Sequence, residues 1–465
     1  MASGVGPGEH GEKSGIWIIN LLTATPRQIL GNAEGAVSSP DGTLVAFRSS
    51  NSPALNVVDV NGENLRTIAT ATLNETFGQL EWSPDGKRVG VIVRRVGDPQ
   101  GSIDGVEVSN GRRSEIARVP RPRSFVWLAD GRMLVSSTDG SDAGTSVLWE
   151  VDKRGNPTQV PIGAGNTVAQ MSATADGKRL VLIRENRQSD AYVATITGND
   201  HLADARRVTL DDRDDFPSGW LSDGRAILFA STRNGTLDVF RQAIDSSTAE
   251  QMASGPEQQF GAEAVFGGKT ILYWSSAEGA AKMRLMKTPA GGGPADVLFE
   301  APQGSSFHCA AAVPTCYLAT IRDGKVDLST FTVDHPERTP AKTLPVQAAS
   351  GDVVWGVAAD GSRAAYADAA GLNVIGLGGG ESWNVPAAEL PGKLSGVAAG
   401  PNPSAWIVTT TSARENDVLL ASRARVVKLW TSPRPLASPA LSPDGKRLVF
   451  GLTSTSSNAW LIENF

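Results

Sequence analysis

The chain has 465 residues, a formal charge of −6 and two cysteines. That length buries a large core, as one very large domain or two ordinary ones. The acidic balance argues against a nucleic-acid binder, and no apolar run reaches the roughly 18 residues of a transmembrane helix.

Residues 1–14 are rich in Gly and Glu and lack the apolar centre of a signal peptide. They are expected to form a disordered tail, or to be the cut edge of a longer protein. Ile16-Trp17-Ile18-Ile19-Asn20 and Thr25-Pro26-Arg27-Gln28-Ile29-Leu30 then read as two strands.

A turn phrase follows, at Ser39-Pro40-Asp41-Gly42 and again at Ser83-Pro84-Asp85-Gly86 and Ser442-Pro443-Asp444-Gly445. Shorter copies hold Asp130, Asp176, Asp223 and Asp360, each followed by Gly. Asp41, Asp85, Asp130, Asp176 and Asp223 lie 44, 45, 46 and 47 residues apart. In each copy Pro presets φ, Asp bonds the backbone just downstream and Gly takes a positive φ. The aspartates are therefore expected to be turn-formers.

Apolar runs follow the turns, such as Leu44-Val45-Ala46-Phe47 and Ala226-Ile227-Leu228-Phe229. A third strand is expected after a polar turn, as at Ala191-Tyr192-Val193-Ala194, Leu237-Asp238-Val239-Phe240 and Ala459-Trp460-Leu461-Ile462. More polar fourth strands follow, as at Arg206-Arg207-Val208-Thr209. Weaker hairpins at the same step surround Gly267, Pro314 and Asn402. Four short antiparallel strands every 40–45 residues or so mark a propeller blade. The fold expected over 15–465 is all-β: a β-propeller of about ten repeats, as one large ring or two tandem smaller ones. A split into two rings near 245–260 is one reading, although the spacing shows no clear break. Both ends of the chain read as third strands, so a ring could close by pairing strands from both termini. A missing upstream blade is the alternative.

The densest basic stretch, Arg112, Arg113, Arg118, Arg121 and Arg123, reads as a solvated blade edge rather than a polyanion site. The sharpest polar cluster is Asp211-Asp212-Arg213-Asp214-Asp215, expected at the mouth of a central channel. Three roles are open for it: a solvated loop, a contact for a basic peptide or protein, and a Ca²⁺ or Mg²⁺ site built from oxygen ligands. Cys309 and Cys316 flank the tip of a hairpin. On opposite arms they could bond, which implies an oxidising compartment; a pair of buried thiols is the alternative.

No Gly-x-Ser-x-Gly elbow, phosphate loop or kinase motif is present, so no cofactor is expected. Of the four histidines, His10 lies in the tail, and His201 and His335 lie in polar turns. His308 adjoins a strand, where packing is favoured over catalysis. Trp82, Trp127 and Trp220 each stand three residues before a turn aspartate, which favours packing between blades.

Trp82-Ser83-Pro84-Asp85-Gly86-Lys87-Arg88-Val89 resembles the TolB-type propeller repeat, and the resemblance runs from Gly15 onward. More narrowly, three features resemble the C-terminal propeller region of acidobacterial receptor-like serine/threonine kinases and winged-helix regulators. They are Ser189 to Val193 followed by Arg207 to Pro217, the Cys309/Cys316 hairpin, and the ending Ser457 to Phe465. That resemblance implies an extracytoplasmic or periplasmic sensor with no catalytic residues of its own. The expected function is thus a non-enzymatic interaction or ligand-sensing module, binding a protein, a peptide or a small periplasmic ligand. A propeller hydrolase or lyase using the channel-mouth carboxylates is the alternative.

Overall fold

A computed structural model describes residues 2–8, 11–20, 22–50, 52–95, 98, 100–138, 146–161, 167–174, 176–198, 201–277, 279–322, 325–344, 346, 353–412 and 415–463; for 2–14 and 20 it describes the backbone alone. The described residues are almost entirely short antiparallel strands in ten sheets, eight of them four-stranded. No described helix is long and apolar enough to cross a membrane.

The chain divides into two compact units, Met1–Asn186 with Ser456–Phe465, and Arg187–Thr455. In the second unit, five sheets follow one another with inner strands Asp215–Trp220, Gln258–Ala264, Ser306–Cys309, Trp355–Val357 and Lys393–Ala399. The sixth has inner strand Leu436–Leu441, then the first half of Arg447–Glu463. It is completed by strands from much earlier in the chain: the second half of Arg179–Thr197, then His201–Arg207. Ile196 N–H donates to the Lys446 carbonyl at 2.8 Å, and the Ser189 and Thr453 hydroxyls meet at 2.9 Å. Inner strands neighbour one another in sequence, and the sixth neighbours the first. The second unit is a six-bladed β-propeller.

Six apolar clusters fill the six gaps between these blades. The cluster between the sixth blade and the first joins Val449, Ala191 and Val193 to Trp220 and Phe229. Burying such side chains is the main stabilising term, each worth about 1.5–3 kcal/mol. The ring is held shut by the same means that hold any two blades together.

The first unit has five sheets. Three complete ones begin at Ala33–Ser38, Glu75–Trp82 and Pro122–Trp127. Before them stand Ala2–Gly8, Gly11–Asn20 and Thr25–Gly31, and after them Thr167–Ala173 with the remaining halves of the two long strands. Four apolar clusters fill the four gaps between these five sheets.

Four expectations are corrected. Ala2–Gly8 is a strand paired with Gly11–Asn20, with Ala2 opposite Trp17, rather than a disordered tail; His10 lies outside the described residues. The division falls at 186/187 and 455/456, not near 245–260. The polar stretches before Ala191 and Ala459 were expected as turns. Both instead continue the strands Arg179–Thr197 and Arg447–Glu463 without a break, and each strand passes from one unit to the other. The second ring closes by pairing C-terminal strands with residues 189–207, not with the N-terminal strand. Even repeat spacing hides this, because both units use the same blade.

Candidate functional site

All seven turn aspartates bind their own turns. Asp85 Oδ1 accepts the Ser83 hydroxyl at 2.6 Å and the Lys87 N–H at 3.1 Å. Asp41, Asp176 and Asp444 do the same with their neighbours, while Asp130, Asp223 and Asp360 accept the N–H two residues on. The following glycines all have positive φ, for example 66° at Gly86. The hydroxyl and amide bonds hold the Asp41, Asp85, Asp176 and Asp444 carboxyls below the usual range.

The acidic run Asp211 to Asp215, expected at a channel mouth, is divided among separate partners. Asp212 is 92% exposed at its side chain, with Arg213 at 3.7 Å. Asp211 accepts the Arg213 N–H and pairs with Arg233 at 2.9 Å. Asp214 accepts the Ser189 N–H at 2.8 Å. Asp215 is fully buried against Arg233 at 3.0 Å. Backbone and side-chain donors thus take up Asp211, Asp214 and one oxygen of Asp215, while Asp215 Oδ2 is buried with no hydrogen-bond partner among the described residues. Among the described residues no group of three or more His, Cys, Asp or Glu is placed to hold a metal ion.

The second unit carries an axial cavity of about 520 Å³ at the opposite ends of the inner strands, and every blade contributes to its wall. None of Asp211 to Asp215 lines it. The inner hairpins fix one equivalent position per blade, two residues before the hydrogen bond that closes each turn. Those six positions are Gly219, Glu263, His308, Gly356, Ala398 and Ala440, and all six line the cavity. A Cβ on Gly356 would meet the Val397 carbonyl at 3.1 Å, so the small residues permit close approach of neighbouring inner strands. Glu263 and His308 stand on adjacent blades as the two titratable members of this ring.

They are bound to each other. Glu263 Oε1 lies 2.7 Å from His308 Nδ1, and Glu263 Oε2 accepts the Cys309 N–H at 2.8 Å. A bulge between Phe260 and Glu263, with Gly261 at φ 63°, re-aims this end of the strand. The His308 ring meets Trp355 edge to face at 4.7 Å, and the Trp355 indole donates to the Ser306 hydroxyl at 2.8 Å. Cys309 and Cys316 face each other across the hairpin and are joined by a disulfide. The imidazole is thus held by Glu263 at Nδ1 and by the Trp355 ring. With Nδ1 engaged, Nε2 has no hydrogen-bond partner among the described residues. Such a group can donate to or accept from a ligand, and a carboxylate behind it sets which.

The sequence favours packing for His308 and does not distinguish Glu263 from other acidic residues. The signal was present as a column four residues before Asp223, Gly267, Asp360, Asn402 and Asp444 and six before Pro314, where two blades break a run of Gly and Ala.

The tryptophans do span blades. Trp82 Nε1 donates to the Val37 carbonyl at 3.1 Å and Trp220 Nε1 to the Ala440 carbonyl at 2.9 Å, each on the adjoining sheet.

No protein-family model matches the sequence, and no curated protein does. Among solved structures it is similar to TolB from Acinetobacter baumannii, at 14% identity and a TM-score of 0.25 over 75% of this chain and 80% of that one. The β-propeller domain of the Trilobed protease from Pyrococcus furiosus matches at 15% identity and 0.29, over 63% and 92%. The tricorn protease matches at 12% and 0.28, over 93% of this chain; this chain spans 49% of that one. At such identities and TM-scores these likenesses say nothing about activity. The propeller assignment rests on the sheets themselves.

Proposed function

We propose that this protein is a binding and sensing module, and that the axial cavity of the six-bladed unit receives its ligand. The observation that carries this reading is the composition of the six-membered ring. Four positions are Gly or Ala and leave space; two hold a fixed imidazole–carboxylate pair. A column serving only to fill the axis would carry larger side chains. Lining residues such as Trp220, Phe266 and Val357 offer apolar surface, and among the described residues no Lys or Arg lines the wall. The ligand class that fits is a peptide segment or small molecule with an apolar body and one polar group that meets His308. The disulfide suits an extracytoplasmic compartment. The sequence resemblance to propeller regions of bacterial receptor kinases and regulators supports a sensor role within a larger signalling protein.

The test is a thermal-shift screen with short peptides and small amphipathic molecules, run on the wild type and on Ala440→Phe, which fills the cavity. Hits on the wild type that vanish in A440F and weaken in His308→Ala support the reading. An imidazole oriented by a carboxylate is also the arrangement of a general base. Turnover of a hit, lost in H308A, would replace binding with catalysis. The carboxylates at 211–215 give that enzyme reading no support, since Asp211, Asp214 and Asp215 are tied to internal partners and Asp212 faces solvent.

A further inference from the structure

The wall of the axial cavity has a hydrogen-bonding polarity. Its side-chain donors are engaged within the protein. The Trp220 indole N–H goes to the Ala440 carbonyl at 2.9 Å. The Ser218 hydroxyl donates to the Ala262 carbonyl at 2.7 Å, since a carbonyl can only accept. The Ser442 hydroxyl donates to Asp444 Oδ1 at 2.5 Å, and its oxygen accepts the Arg447 N–H at 2.9 Å. Trp220, Ser218, Ser442 and Asp444 all line the cavity. Among the described residues, the Ser222 hydroxyl is the one side-chain donor of the wall without such an internal partner.

The Glu263–His308 pair extends the pattern. Glu263 accepts the Cys309 N–H at Oε2, and its Oε1 lies 2.7 Å from His308 Nδ1. A carboxylate there draws the ring proton to Nδ1, so Nε2 of the neutral imidazole carries a bare lone pair. The His308 side chain is 34% exposed against 18% for Glu263, so the imidazole rather than the carboxylate meets an incoming ligand. Charge points the same way. Glu263 and Asp444 bring carboxylates to the wall, and among the described residues it has no ammonium or guanidinium. Arg447 approaches Asp444 Oδ2 only to 3.8 Å and does not line the cavity. An acceptor pressed against such a wall would be left unpaired, whereas a donor would be satisfied.

We propose that the axial cavity selects a primary ammonium group on an apolar body, carried either by a small amine or by the N-terminus of a peptide. This assignment rests on the reading of the cavity as a ligand site. An ammonium offers three donors and no acceptor. One N–H meets His308 Nε2, and Glu263 behind the ring opposes the charge.

The experiment is calorimetric titration of the full chain at pH 7 and constant ionic strength. The probes are phenylethylamine, 3-phenylpropionate, and the tripeptide amide Phe-Ala-Ala with a free and with an acetylated N-terminus. Phenylethylamine or the free peptide should bind about tenfold or more tightly than its counterpart without the ammonium. Ala440→Phe should abolish that binding. His308→Ala should weaken the amine by about tenfold while sparing phenylpropionate, a change of selectivity that a loosened cavity would not produce. Ser222→Lys, at an exposed turn on the rim, brings a cation to the wall and should narrow the preference about threefold. Tighter binding of phenylethylamine would assign a small amine, and tighter binding of the free peptide would assign an N-terminus. Absence of saturable binding by both ammonium probes would overturn the proposal, as would ammonium binding that survives Ala440→Phe. Phenylpropionate and the acetylated peptide binding as tightly as their ammonium counterparts, with loss in Ala440→Phe, would overturn the ammonium assignment alone and leave the cavity as a ligand site.

Discussion

Asp215 and Arg233 form a buried ion pair at the start of the first blade of the six-bladed ring, 3.0 Å apart, with the carboxylate fully buried. The guanidinium also lies over the rings of Phe229 and Phe240, 5.1 and 4.6 Å from their centroids. Burial raises the Asp215 carboxyl to about 6, although the Ser231 hydroxyl and Arg233 oppose it. Such a pair is costly to break from one side, because the surviving charge has no water to return to. Arg233→Ala should therefore destabilise the second unit by about 3 kcal/mol. In urea melts, R233A combined with Asp215→Asn should lose less than the sum of the two single changes. Strict additivity would refute the coupling.

Glu81 occupies in the first unit the place that Glu263 holds in the second, two residues before the hydrogen bond that closes its inner hairpin. It has no ion pair among the described residues, and burial alone pushes its carboxyl up to about 7. The folded state therefore keeps the proton over a range in which the unfolded chain has lost it. Stability from this group is greatest below about pH 4.5, declines as pH rises toward 7, and stays low above that. Glu81→Gln should remove this slope and stabilise the protein at pH 8 by about 2 kcal/mol. Thermal melts at pH 5 and 8 measure both effects. An unchanged pH slope in E81Q would show that the carboxyl ionises normally.

Glu75 gives the opposite sign. Hydrogen bonding to Arg113 and the charges of Arg113 and Arg95 outweigh burial and hold its carboxyl down near 2. Its contribution is present above about pH 4.5 and is lost as pH falls toward 2. Glu75→Gln should cost about 2 kcal/mol at pH 7 and little at pH 2, read from denaturant midpoints at the two values. A constant difference across that range would assign the loss to packing instead.

The blade was legible in the sequence because its turns are chemically demanding. Few residues other than Pro, Asp and Gly serve those turns, so their spacing reports the strands directly. The ring boundary was not legible. Arg184 to Ser189 and Thr453 to Asn458 have the polarity of turns, yet they remain extended, and composition alone cannot separate a polar strand from a polar turn. Asp211 to Asp215 drew attention as a charge cluster, while their partners Ser189 and Arg233 are distant in sequence and became visible only on folding. Glu263 and His308 were missed for the same reason: 45 residues separate them, and only the register of adjacent blades makes them neighbours.

The disulfide offers a test that reaches the candidate site. Cys309 and Cys316 close a loop of seven residues' separation, and cross-links on short loops restrict the unfolded chain by roughly 2–3 kcal/mol. Cys309→Ala with Cys316→Ala should lower stability by about 2 kcal/mol, by urea titration under non-reducing conditions. The same change bears on ligand binding, because Cys309 N–H is the donor that holds the second oxygen of Glu263. A backbone freed at this point lets the carboxylate turn away from the imidazole. Ligands found for the axial cavity should then bind the double variant more weakly, and reductant should produce the same loss in the wild type. Loss of ligand binding with an unchanged far-ultraviolet circular dichroism spectrum would tie the disulfide to the positioning of Glu263 and His308, whereas loss of both would point to general unfolding.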